Sequence, residues 1–315
     1  MLSAALALVG ALVYGSADFL GGLAAKRLRS IVVTAVAAVA GLGMLLLAFP
    51  FIGGEWRPAD IAWGALSGAT GAVAIVLLYA CLAIGPMSIL SPLTAVVSAI
   101  APILWGLIVD GESLSPIAGA GLGVALVAVV LVGFVPGDGV VRPSVRGLAM
   151  AIGAGLAIGA FLIIIDQTSD ESGLVPLLLN RAVNGAITFG AVGVLARAAV
   201  RAGRTAASVL EASGDAPGAT QTGHADLEHA SARIALSRTR AWWLAAGCGV
   251  LDAAANVLLL LALRAGDLSI VSALTAMYPA GTILLAAVVL RERIAAVQWL
   301  GLVLALTAGV MLAVA

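Results

Sequence analysis

Apolar runs of eighteen or more residues recur along the whole chain, separated by short charged or Pro/Gly-containing breaks. A single run of that length, wound as a helix at about 1.5 Å per residue, approaches the roughly 30 Å hydrocarbon layer of a bilayer. Repetition removes the soluble alternative. Of 315 residues, 62% are hydrophobic and only 10% charged, too few polar side chains to cover a water-exposed surface. Both faces of the segments are apolar, as befits helices surrounded by lipid and by one another. A formal net charge of +0 gives no electrostatic reason to expect a nucleic-acid partner.

The runs place helices near 2–24, 31–52, 60–83, 87–109, 115–135, 146–166, 174–196, 241–263, 267–290 and 294–315. The expected fold is therefore an all-α integral membrane protein of ten transmembrane helices. Met1-Leu2-Ser3 brings no cationic stretch before the first run, so that run is expected to remain as helix 1 rather than serve as a cleaved signal. Most connections are short. The exception is 197–240, rich in Ala, Ser, Gly and Arg, which has no apolar periodicity and is expected to be a flexible loop. It carries His224 and His229 beside Asp226 and Glu228, but nothing in such a loop holds ligands rigidly, so no metal is expected there. Cys81 and Cys248 both fall inside spans, which offers neither a disulfide framework nor a metal cluster. No cofactor-binding motif is present, and the lack of a Gly-x4-Gly-Lys-Ser/Thr sequence excludes ATP as a driver within this chain.

Internal repetition organises the runs. The segment 85–95 (GPMSILSPLTA) aligns with 266–276 (GDLSIVSALTA) at seven identical positions of eleven, where chance would give about one. The first copy opens helix 4 and the second opens helix 9, so the period is five helices. An odd period sends the second copy into the membrane from the opposite side, which predicts two inverted-topology five-helix repeats, 2–135 and 146–315. Thirteen Lys and Arg residues (26, 27, 29, 142, 146, 197, 201, 204, 233, 238, 240, 291 and 293) follow odd-numbered helices, and only Arg57 and Arg264 follow even-numbered ones. Basic residues stay cytoplasmic, so both termini are expected on the outer side of the cell membrane.

An ionisable group within a span is costly, by roughly 2.5–3.5 kcal/mol at the helix centre, and is a functional candidate by default. Asp252, mid-way along helix 8, is the foremost, with Asn256 one turn on and on the same face. Helix 7 offers Asn180, Arg181 and Asn184. A buried Asp252–Arg181 pair that merely neutralises both charges is one reading. The other is that these groups meet a solute or a coupling proton. Tyr14 shares a face with Asp18, but Asp18 is expected to pair with Lys26 or snorkel to the cytoplasmic end. Asp166, Glu112 and Glu292 are expected at helix ends as interfacial or solvated groups. Ser88, Ser91 and Thr94, and again Ser269, Ser272 and Thr275, recur at threes as hydroxyl stripes, and Ser91, Thr94, Ser272 and Thr275 join the candidates for lining a cavity. Pro92, Pro102 and Pro279 free backbone carbonyls at membrane depth, which is tolerated where a helix lines a cavity or packs tightly. Gly64 with Gly68, and Gly155 with Gly159, should allow close helix approach. Trp56, Trp63, Trp242, Trp243 and Trp299 sit near span ends as interfacial anchors.

Two five-helix halves, each with a Gly-x-x-Ser-Ile segment and a following helix that closes on Gly-Glu or Arg-Glu, make the chain similar to the EamA family of the drug/metabolite transporter superfamily. Gly15, the Pro176 and Arg181 of helix 7, and Leu263-Arg264-Ala265-Gly266-Asp267-Leu268-Ser269 add to the likeness. The first half departs from it in lacking an Arg in helix 2, and the second half has Ala273 where the first has Pro92. The resemblance implies a secondary carrier, not an enzyme, with a central cavity between the halves, exporting metabolites, amino acids or drugs. The alternatives are a lipid-modifying enzyme embedded in the membrane, for which the spans hold no His and no nucleophile with a base, and a non-transporting sensor or scaffold, which would lack an output domain. The expected partners are a small solute and the lipid bilayer, with a proton or ion as a candidate for coupling.

Overall fold

The computed structural model describes residues 1–25, 27–84, 87–133, 144–211, 237–289 and 295–314. Lys26, Arg142, Arg233, Arg291, Glu292, Arg293 and the His224/His229 cluster lie outside the described residues, as do the side chains of Cys81, Ser88, Ser91 and Pro92. Eleven α-helices are found among the described residues: α1 Leu2–Ala25, α2 Ser30–Ile52, α3 Pro58–Ile84, α4 Met87–Ile108, α5 Pro116–Gly133, α6 Val145–Asp166, α7 Val175–Arg201, α8 Arg238–Arg264, α9 Leu268–Thr275, α10 Tyr278–Val289 and α11 Ala296–Val314. Six of them, α1, α2, α6, α7, α8 and α11, are long and apolar enough to cross a membrane, and shorter apolar helices accompany them. Large apolar side chains face outward, among them Leu47, Phe51, Val288 and Leu306, an arrangement that lipid rather than water satisfies.

Two expectations are corrected. The helix anticipated over 267–290 is broken: α9 stops at Thr275 and α10 begins at Tyr278. Pro279 is the physical cause, since it has no N–H for the carbonyl of Thr275 four residues back and its ring crowds that same carbonyl. The loop anticipated over 197–240 is also narrower. Helix α7 runs on to Arg201, a 3-10 turn follows at Ala206–Val209, and Glu211 bridges to Leu28.

The main packing pairs are α1 with α8, α3 with α6, α2 with α8, α3 with α7, α4 with α6, α1 with α9 and α10, α2 with α7, α4 with α9, and α5 with α11. Glycines set the closest of these. A Cβ on Gly64 would lie 2.7 Å from the Pro176 backbone, and one on Gly155 2.7 Å from the Thr94 carbonyl oxygen, so α3 meets α7 and α4 meets α6 at near backbone contact.

Loops tie the bundle at both ends of α2. At its C-terminal end Glu55 N–H donates to Glu171 O (2.8 Å) and Leu174 N–H to Gly53 O (3.0 Å). Gly54 and Gly173, both at positive φ, lie so close across this junction that a Cβ on either would strike the opposing backbone. Arg264, at the end of α8, donates through Nη2 to Ser169 O, Ser172 Oγ and Gly173 O at 3.0–3.1 Å. Buried Asp60 accepts from the N–H and hydroxyl of Ser169 at 2.8 and 2.7 Å. At the N-terminal end of α2, Arg29 N–H donates to Leu210 O (3.1 Å) and Arg238 pairs with Glu211 at 3.7 Å.

Candidate functional site

A cavity of about 150 Å³ opens inside the bundle, lined from α1 through α4 and from α6 through α10. Helices α5 and α11, which pack on one another, contribute no lining residue. Most of the polar lining comes from three helices. Tyr14 and Asp18 stand one turn apart on α1, Asn180, Arg181 and Asn184 on α7, and Asp252 and Asn256 on α8. The α9–α10 break supplies Ser272, Thr275 and Tyr278. Apolar walls are provided by Val33, Ile158, Phe161, Leu162 and Leu259.

Arg181 and Asp252 form a direct ion pair across α7 and α8, with side chains only 11% and 16% exposed. Neither charge could remain alone at this depth, and pairing is what allows both to be held there. Asn180 donates through Nδ2 to Ser67 Oγ (2.9 Å), and Ser67 in turn donates to Gly64 O (2.7 Å), which fastens α7 to α3 just where the glycines bring them together. Asn256 donates to the Asp252 carbonyl (2.7 Å), Ser272 to Ser269 O (3.1 Å) and Ser98 to Ala95 O (2.8 Å), bonds of a helix to itself that leave lone pairs for a guest.

Eight of the ten sequence candidates therefore surround one cavity: Tyr14, Asn180, Arg181, Asn184, Asp252, Asn256, Ser272 and Thr275. Thr94 is not a lining residue; its hydroxyl contacts Leu90 O at 3.0 Å and Ala151 O at 3.1 Å, joining α4 to α6. Ser91 has its side chain outside the described residues. Asp18 is placed differently from its expected position. Rather than reaching toward the membrane surface it is buried, 8% exposed, in the cavity wall. The cause is its helical phase: it follows Tyr14 by one turn on the face of α1 that packs against α8 and the α9–α10 break. Glu112 is likewise not a simply solvated turn residue. Its carboxylate accepts from the N–H groups of Leu268 (2.7 Å) and Ser269 (3.2 Å), capping α9 from the opposite half of the sequence. The Arg264 and Asp60 contacts were missed because neither residue sits at helix mid-depth, where a charge draws attention by its cost alone.

No group of three or more His, Cys, Asp and Glu residues able to hold a metal occurs among the described residues. A sequence model described as the EamA-like transporter family matches residues 1–134 and 230–314. A solved crystal structure of another protein shares the fold at a TM-score of 0.70 with 15% sequence identity, over 98% of this chain and 96% of that one. No curated protein matches the chain in sequence.

Proposed function

Because this chain belongs to the EamA-like transporter family, and is thus an integral membrane protein of transmembrane transport, we propose that it is a secondary carrier whose small solute binds in the central cavity. The observation that carries this reading is the cavity itself: a largely apolar chamber inside the bundle to which the first half of the sequence sends Tyr14 and Asp18 and the second half Arg181, Asp252 and three asparagines. The cargo is a metabolite, amino acid or drug moved by alternating access, in the outward direction. The polypeptide crosses the membrane ten times, α9 and α10 together making one crossing, and both termini lie outside.

The two halves, 2–135 and 146–315, are inverted copies. The packing pairs support this reading, because exchanging each helix for its counterpart five places on turns the set into itself. Under that exchange α1·α8 becomes α6·α3, α2·α8 becomes α7·α3, and α4·α6 becomes α1 against α9 and α10, while α2·α7, α4·α9 and α5·α11 map onto themselves. The first four crossings of each half then line the cavity, and the fifth pair braces them from outside. Alternating access follows if the halves rock so that the loop contacts at the two ends of α2 open in turn.

Counterflow of radiolabelled solutes in proteoliposomes is the test. Trans-loaded solute should accelerate uptake of its labelled form, and absence of transport with every amino acid, amine and dye tried would sink the reading. The variant Asp252→Asn should reach the membrane in folded form, because its amide oxygen still accepts from Arg181, yet it should lose transport. Failure to accumulate folded protein would assign the ion pair to architecture alone.

A further inference from the structure

Among the described residues, the ionic side chains in the cavity wall are Asp18, Arg181 and Asp252. Arg181 is occupied by Asp252. Asp18 has no hydrogen-bond or ion-pair partner among the described residues, although 92% of its surface is withdrawn from solvent, given that only 8% is exposed. A carboxyl group buried in this way without a partner is held in its neutral form, and it becomes a carboxylate, releasing its proton, when a cation arrives to pair with it. From this charge balance we propose that Asp18 is the recognition site for a positively charged solute, and that the cavity selects organic monocations, ammonium or guanidinium, that carry an apolar body. The proposal rests on the reading of the cavity as a transport site and adds to it the class of cargo.

Three further features favour a cation over the alternatives. Tyr14, Tyr278 and Phe161 also line the chamber, and aromatic faces attract a desolvated cation. The Thr275 hydroxyl is buried without a partner among the described residues, and Pro279 has no N–H to offer the Thr275 carbonyl, so the broken helix brings acceptor oxygens to a lining position. A zwitterion or an anion, by contrast, would need a free cationic group, and the cationic group among the described lining residues is already paired. Asn184, which also has no side-chain partner among the described residues, can serve a second polar group of the guest. Size limits the body: a chamber of about 150 Å³ accepts something near one aromatic ring.

The experiment uses the purified full-length protein in lipid nanodiscs and a set of probes that share one phenyl body and differ in charge: phenethylamine, phenylalanine and 3-phenylpropionate, titrated calorimetrically. Phenethylamine should bind at least tenfold more tightly than the other two, and Asp18→Asn should weaken it tenfold or more while Arg181 and Asp252 are left intact. Equal or tighter binding of phenylalanine or phenylpropionate, an unchanged Kd in Asp18→Asn, or no binding of any of the three overturns the inference. If Asp18→Asn does not fold, the charge series on the unaltered protein decides alone. Counterflow separates the two layers of the argument. Movement of phenylalanine but not of phenethylamine defeats the cation assignment and leaves the carrier standing, whereas phenethylamine that binds but never moves keeps the site and defeats the carrier.

Discussion

Arg264 and Glu112 are each charged residues near the ends of helices, and each does its work by completing another element's hydrogen bonds. Arg264 satisfies two backbone carbonyls and one hydroxyl of the 169–173 turn. Bonds to charged donors contribute roughly 1.5–3 kcal/mol when their loss leaves an acceptor buried, so Arg264→Met should lower the stability of the detergent-solubilised protein by about 3 kcal/mol. Arg264→Lys, with one ammonium in place of a planar fork, should fall between the two. A cysteine introduced at Ser169 would report the same event as faster labelling by a thiol reagent in the Arg264→Met background. Glu112→Ala removes the acceptor for two amides at the start of α9 and should cost about 1–2 kcal/mol. Glu112→Gln, which keeps one acceptor, should lose less, and thermal melts followed by size-exclusion chromatography distinguish the three proteins.

Helices here are apolar all round, so their mutual fit comes from shape. Gly64 and Gly43 make the contrast testable. A methyl at Gly64 would meet the Pro176 backbone at 2.7 Å, whereas nothing lies within 4 Å of one at Gly43. Gly64→Ala must push α3 off α7, dislodging the Asn180–Ser67 bond with it, and should reduce the folded yield severalfold. Gly43→Ala should be neutral or gain up to about 1 kcal/mol from helix propensity. Loss of folded protein in both would show that helix insertion rather than packing is at stake. The α9–α10 break belongs with these observations. Pro279 was visible as a carbonyl-freeing residue, but Pro50 lies within the continuous α2 and Pro102 within the continuous α4. Whether proline breaks a helix or is absorbed depends on what neighbours it, and at 276–277 the neighbours are the α1 face bearing Gly15 and Tyr14, against which α10 packs at the backbone of Tyr278.

For the molecule as a whole, the distribution of basic residues makes a topological prediction that a labelling experiment settles. With α4 followed by an outer turn and α7 by a cytoplasmic one, Ser113→Cys should react with a membrane-impermeant maleimide in intact cells, and Arg204→Cys should react only after lysis. Both positions are exposed, so access alone governs the result, and the opposite pattern would invert the proposed orientation. What reading the chain residue by residue could establish was membrane residence, the approximate bounds of most helices, the 85–95 and 266–276 copies, and a short group of intramembrane polar residues, because each of these is a property of hydropathy or of order along the chain. It raised the Arg181–Asp252 pair only as one of two readings, and it did not reveal that Asp18 has no counter-charge among the described residues or that the Thr94 hydroxyl lies between α4 and α6. Those outcomes depend on which faces of crossing helices meet, and in helices this uniformly apolar the phase is set by glycine contacts and loop ties between residues more than a hundred positions apart. The membrane dictates that a charge must find a partner; only the tertiary arrangement decides which partner it meets.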